Sequence, residues 1–149
     1  MGNRDIICIY NLIQDLSWYF GNQGFDGTCC GDLTLVEFTA LKKVHEKEEI
    51  GIQEMGTALN ITKSGSSKII DRLEKRGYVL RASCSVDGRA CCVVTTDLGI
   101  DAIFQIEERY TKYVGEMLKD IDNTNVNNIR DVLEVLVAAV QKKGFIKQD

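Results

Sequence analysis

Residues 62–96, TKSGSSKIIDRLEKRGYVLRASCSVDGRACCVVTT, pass from a helical to a strand pattern at one glycine, and few folds accommodate that passage. Thr62 has the short hydroxyl of a helix N-cap, and Gly77 is the residue type that ends helices in a left-handed conformation. Between them Ile69, Ile70 and Leu73 keep helical spacing and make one apolar stripe. The opposite face carries Lys63, Ser64, Ser67, Lys68, Arg72 and Lys75, hydroxyls and cations suited to phosphates and base edges. Beyond Gly77, Tyr78-Val79-Leu80 and Cys92-Val93-Val94 read as strands, and Asp87-Gly88 between them is a hairpin signal. Arg89 falls at or just past the hairpin tip. A cationic, hydroxyl-bearing helix followed by a hairpin with an arginine is the layout of a winged helix-turn-helix. The helix would read a groove, and the hairpin would reach the next stretch of backbone.

Charge distribution supports that layout where total charge does not. The chain carries a net −4, which alone disfavours a nucleic-acid partner. Between Thr62 and Ala90, however, seven cations (Lys63, Lys68, Arg72, Lys75, Arg76, Arg81, Arg89) meet three anions (Asp71, Glu74, Asp87), an excess of +4. The remainder therefore holds −8, so positive charge is confined to the stretch that would touch phosphate. At 149 residues the chain fits one domain with extra helices, and a hydrophobic share of 44% argues against disorder. No apolar run approaches the roughly 20 residues of a membrane helix, and the N-terminus has neither a signal-peptide cleavage site nor the myristoylation pattern. Six cysteines without a secretion signal suggest reduced thiols in a cytoplasm rather than a disulfide framework.

In chain order, residues 4–20 are apolar around most of their circumference, as expected of a helix buried against a second subunit. Residues 21–32, with four glycines, read as a loop. Thr34-Leu35-Val36-Glu37 has capping-box spacing and opens a helix over Phe38, Leu41 and Val44. A short helix over 52–59 directs Ile52, Met55 and Leu59 inward and ends at Asn60, so that with the helix capped by Thr62 it forms the helix-turn-helix. Past the hairpin, Thr96 or Asp97 caps a long helix to about Lys119. Asn123-Thr124-Asn125 is a turn with capping chemistry. A last helix follows, with Val126, Ile129, Val132, Leu133, Leu136, Val137 and Val140 inside, ending near Gly144.

The segments LTLVEFTAL, MGTALNITKSGSSKIIDRLEKRGYV and DGRACCVVTTDLG, spanning Leu33 to Gly99, resemble the MarR (multiple antibiotic resistance regulator) family. The most specific elements are the DRLEKRGYV helix end, Asp87-x-Arg89, and the threonine and glycine that open the next helix. The resemblance implies a mainly α fold with a small β-hairpin wing: a winged helix-turn-helix over 33–96, flanked by dimerisation helices over 4–20 and 97–146 of a single chain, 1–149. It further implies a homodimer that reads palindromic double-stranded DNA, with Arg89 in a minor groove and Asp87 steadying it. DNA-binding residues are then Lys63, Ser64, Ser67, Lys68, Arg72, Asp87 and Arg89. This chain departs from the family pattern at Gly65-Ser66, where relatives usually carry Thr-Val, and in having no wing proline.

Catalysis finds little support. His45 is the single histidine, which excludes a His-based triad or multi-histidine metal site within one subunit, and no phosphate loop or dinucleotide fingerprint is present. No cofactor is implied. The cysteines are the unusual chemistry. Cys29-Cys30 lies in the glycine-rich loop, where two thiolates can meet a soft metal or be oxidised. A two-residue Asp87-Gly88 turn would place Cys84 opposite Cys91, while Cys8, Cys91 and Cys92 read as small hydrophobes. The family layout also implies a pocket for an organic effector, which Trp18, Tyr19 and His45 would border. Two function classes follow: a transcriptional regulator, expected to be a repressor answering a small-molecule, redox or soft-metal signal, and a winged-helix module that binds protein without binding DNA. A cation at the hairpin tip favours the regulator.

Overall fold

The computed structural model describes residues 2–21, 28–84 and 91–146. In chain order the elements are α1 (Asn3–Gly21), β1 (Thr28–Cys30), β2 (Leu33–Thr34), α2 (Leu35–Lys47), β3 (Ile50–Gly51), α3 (Ile52–Leu59), α4 (Lys63–Lys75), β4 (Val79–Ser83), β5 (Cys91–Thr95), α5 (Asp97–Leu118) and α6 (Asn123–Lys143). The fold is mostly helical with a small antiparallel sheet, the winged-helix arrangement expected from the sequence. The chain divides into two units, one ending at Ile106 and the other beginning at Glu107.

In the first unit the helix boundaries follow local chemistry. Thr34 and Glu37 make the reciprocal capping box, with Thr34 Oγ1 accepting from the Glu37 amide at 3.2 Å and Glu37 Oε2 accepting from the Thr34 amide at 3.0 Å. Asn60 ends α3 in the left-handed conformation (φ 54, ψ 45), which asparagine tolerates better than most side chains. Thr62 caps α4 through the Gly65 amide at 3.0 Å. Gly77, at φ +80, turns the chain out of α4 and into β4. Around these ends, Leu41, Val44, Met55, Ile70, Leu73, Val79 and Val93 are fully buried and form one core between α2, α3, α4 and the sheet. Of the α3 residues expected to face inward, Met55 is buried, while Ile52 and Leu59 are half-buried.

The sheet has strand order β3-β5-β4, so β5 is central. Ile50 and Gly51 pair with Val93 and Cys92 on one side, and β4 pairs along the other from Val79↔Thr95 to Ser83↔Cys91. Thr96 then caps α5, donating to the Gly77 carbonyl at 2.6 Å and accepting from the Gly99 amide at 3.0 Å. Gly99 is a close-approach site, since a Cβ there would lie 2.1 Å from the Tyr78 carbonyl oxygen.

Several expectations are corrected. Residues 28–30 of the supposed loop form β1, which pairs with β2. The two-residue β3 was not anticipated, because its pairing with β5 lies far away in sequence. A two-residue turn would pair Cys84 with Cys91, but Cys91 faces Ser83. The strand register is shifted by one residue, and Cys84 is bonded to Cys92 across the hairpin, with Cα atoms 5.1 Å apart. The cysteines are therefore not all reduced, and Cys92 is no simple hydrophobe. Cys8 and Cys91 are free and exposed rather than packed inside. The Asp87-Gly88 turn itself lies outside the described residues.

Elsewhere apolar surface is uncovered. No residue of α1 is buried, and Ile6, Ile7, Tyr10, Leu12, Trp18 and Tyr19 are all exposed. In the second unit α6 is capped by Asp122, one residue before the expected turn; its carboxylate accepts from the Asn125 amide at 3.0 Å. The α6 residues expected to lie inside are not buried within one chain: Val132, Leu133, Val137 and Val140 are exposed. Leu118, Val126, Ile129, Leu133 and Val137 border an apolar cavity of about 460 Å³. No described helix is long and apolar enough to cross a membrane.

Candidate nucleic-acid interface

The turn between α3 and α4 is held by a buried hydroxyl. Ser66, fully buried, donates from Oγ to the Ile52 carbonyl at 2.9 Å, tying the first turn of α4 to the first residue of α3. At Gly56 of α3 a Cβ would sit 3.0 Å from the Ile61 carbonyl, so the turn passes close over this helix. The Gly65-Ser66 departure thus has a structural meaning. Gly65 offers its amide to the Thr62 cap, and Ser66 makes an inter-helix hydrogen bond. With Ser66, Ile69, Ile70 and Leu73 turned to the core, the opposite face of α4 is set. Lys63, Ser64, Lys68 and Arg72 are exposed on it and Ser67 is half-buried, as the helical spacing predicted.

A carboxylate network fixes the far end of the same helix. Glu37 of α2 has a side chain only 4% exposed. Its Oε1 accepts from Arg72 Nε at 2.8 Å and its Oε2 from Arg76 Nη1 at 3.1 Å, in addition to the Thr34 amide. Burial pushes this carboxyl's pKa up, but the Thr34 amide and the two guanidiniums together outweigh burial and hold it below its ordinary value. Arg76 Nε also lies 3.6 Å from Asp32, to which the Tyr78 hydroxyl donates at 3.2 Å. Burial and the Asp32 charge raise the Tyr78 phenol. On β4, Arg81 bonds both Asp71 and Glu74 of α4.

These pairs redistribute the positive charge read from the sequence. Arg76 and Arg81 serve α4's attachment to its neighbours, and Arg72 spends its Nε on Glu37 while the side chain remains 57% exposed. Among the described residues, Lys63, Lys68 and Lys75 are the cations of α4 without an ion pair. Sequence reading treated Glu37 only as a capping residue. A carboxylate at the third residue of an amphipathic helix gives no local sign that Arg72 and Arg76 will find it.

Asp87 and Arg89 lie outside the described residues. Cys30 is buried in β1, and of Cys29 only the backbone, in the same strand, is described. Trp18 and Tyr19 stand exposed on α1 and His45 in the last turn of α2, and none of the three lines the cavity of the second unit. Among the described residues no group of three or more His, Cys, Asp or Glu side chains is placed to hold a metal ion.

The MarR family model matches residues 33–91 of the chain. The fold is shared with a MarR family protein of Bacillus stearothermophilus (TM-score 0.82, 16% identity, 95% of this chain and 99% of that one). It is shared as well with the transcriptional regulator BldR of Sulfolobus solfataricus (0.69, 24%, 95% and 99%). Similarity extends to the transcriptional regulator Tm0710 of Thermotoga maritima (0.64, 23%, 98% and 100%).

Proposed function

We propose that the chain, whose residues 33–91 match the MarR family model, is a homodimeric transcriptional regulator that reads a palindromic operator and represses at it. The observation that carries this reading is the outer face of α4. It presents Lys63, Ser64, Ser67, Lys68 and Arg72 from a helix pinned at both ends, by Ser66 to α3 and by Arg72 and Arg76 to Glu37. In the major groove the lysines neutralise phosphates while the two serines lie near base edges. Arg89, aimed by Asp87, enters the adjacent minor groove.

Two-fold symmetry is supported by the uncovered apolar surface of α1 and α6, which is too extensive for a monomer in water. Half-sites about 10 to 10.5 base pairs apart follow from that symmetry. The dimer responds to a small molecule bordered by Trp18, Tyr19 and His45, or to an oxidant or soft metal at Cys29 and Cys30. Replacing both cysteines by serine should keep DNA affinity and abolish the thiol response.

The decisive test is a mobility shift with the protein's own promoter region, paired with light scattering at micromolar concentration. A retarded complex formed by a dimer is expected. A folded monomer, or a dimer that ignores DNA but captures a protein, would replace this reading with that of a winged-helix interaction module.

A further inference from the structure

Arg72 is held differently from the lysines beside it. Ser64, Lys68 and Arg72 are spaced four residues apart and so lie along one line of the exposed face of α4. Among the described residues Lys68 has no ion pair, whereas the Nε of Arg72 sits 2.8 Å from Oε1 of Glu37 on α2. Glu37 is itself fixed. Its side chain is buried, and its Oε2 accepts from Arg76 Nη1 and from the Thr34 amide of the capping box. The ion pair therefore takes the inner nitrogen of the Arg72 guanidinium and leaves Nη1 and Nη2 without a partner among the described residues.

Charge decides what this arrangement offers a ligand. Arg72 and Arg76 face Glu37 and Asp32, two charges of each sign, so the cluster adds little to the field that draws phosphate. What remains is a fork of fixed direction. Two parallel N–H donors of a guanidinium match O6 and N7 of guanine, whereas a lysine ammonium is a point charge without that geometry. Holding the side chain in advance also removes part of the rotamer freedom that binding would otherwise take away.

We propose that Glu37 is a positioning residue for sequence readout, holding Arg72 so that its two terminal nitrogens engage the O6–N7 edge of a guanine in the major groove. Lys63 and Lys68 supply the attraction that is independent of sequence. The proposal rests on the DNA-binding reading above. It adds to that reading the base that Arg72 selects and a buried residue that acts on DNA only through Arg72.

The test uses the full chain, a scrambled duplex, and a promoter duplex in which 7-deaza-deoxyguanosine replaces one guanine at a time and so removes N7 alone. For the wild type one guanine in each half-site should be sensitive, its replacement weakening binding roughly 2- to 12-fold, about half the discrimination of a bidentate contact. Arg72→Lys keeps the charge without the fork and should bind the native and substituted duplexes equally. Glu37→Gln should lose most of the sensitivity. Because it also uncovers the Arg72 charge, it should bind the scrambled duplex more tightly than the wild type does, with a steeper salt dependence. Glu37→Asp keeps the charge but is one methylene shorter, and should lose the sensitivity without that rise. Circular dichroism at the assay temperature identifies which Glu37 variant is folded, and either one suffices. A folded Glu37 variant as sensitive as the wild type would overturn the positioning role. So would a parallel fall in promoter and scrambled binding, which marks a merely weakened domain. Sensitivity to a methylphosphonate at the same step, with none to 7-deaza-deoxyguanosine, would overturn the guanine assignment. A wild type that binds neither duplex would instead end the DNA-binding reading and this proposal with it, whereas every other outcome leaves that reading standing.

Discussion

Replacing Glu37 by glutamine removes one charge from a place where three donors converge, and the structure sets the size of the effect. The carboxylate accepts at Oε1 from Arg72 at 2.8 Å, and at Oε2 from Arg76 at 3.1 Å and the Thr34 amide at 3.0 Å. Glutamine keeps the volume but has one acceptor oxygen, so its amide nitrogen must face either an arginine or the Thr34 amide. Hydrogen bonds to charged groups contribute about 1.5–3 kcal/mol each, and stranding a buried charge costs still more. Here the charges left behind are not stranded, because the Arg72 and Arg76 side chains are 57% and 36% exposed and rehydrate. A total loss of about 1.5–3 kcal/mol follows. For a chain of this length it corresponds to a melting temperature lower by roughly 3–12 °C.

The pH dependence gives the sharper check on Glu37. The folded-state pKa lies below the unfolded value, so the stabilisation is fully present above the unfolded value of about 4.3 and is lost as pH falls through the folded pKa. Urea unfolding followed by circular dichroism should show a wild-type advantage that is constant from pH 5 to 8 and narrows below it. Equal stability at pH 7, or an advantage that widens on acidification, would refute the network's role.

Other substitutions probe separate parts of the fold and interface. Ser66→Ala removes the hydroxyl bridge to the Ile52 carbonyl, which still accepts within α3, and should cost about 0.5–1.5 kcal/mol in the same unfolding assay, with Ser66→Thr no rescue in so tight a site. Gly99→Ala forces a Cβ to within 2.1 Å of the Tyr78 carbonyl and should cost at least about 1–3 kcal/mol, because backbone rather than a side-chain tip must move. Arg89→Ala should cost roughly 1–3 kcal/mol of DNA affinity and erase preference at A·T-rich flanks, measured on matched and flank-altered duplexes. Wild-type affinity in that variant would mean the hairpin does not read DNA.

What could be read from sequence was what local chemistry determines. Thr34, Asn60, Thr62 and Gly77 mark helix ends because each supplies a cap or a left-handed residue within its own turn, and the structure uses all four. The α4 stripe of Ile69, Ile70 and Leu73 was equally legible, and it fixed which face carries the lysines. Non-local features were not. The pairing of β3 with β5, the union of Glu37 with Arg72 and Arg76, and the reach of Arg81 to Asp71 and Glu74 depend on distances that no short-range pattern encodes. The hairpin register failed for a related reason. Asp87-Gly88 signals a turn but does not fix its register; a shift of one residue changes every facing pair, and Cys84 finds Cys92 instead of Cys91.

The central claim, that the exposed face of α4 holds DNA, is tested most directly by fluorescence anisotropy of a promoter duplex titrated across a salt series. For the wild type, the logarithm of the binding constant should fall linearly with the logarithm of salt concentration, because lysine–phosphate contacts release counterions. Lys68→Ala should weaken binding to all duplexes alike and reduce the magnitude of that slope by about one unit. A Lys68→Ala protein with wild-type affinity and wild-type slope would contradict the placement of α4 against DNA.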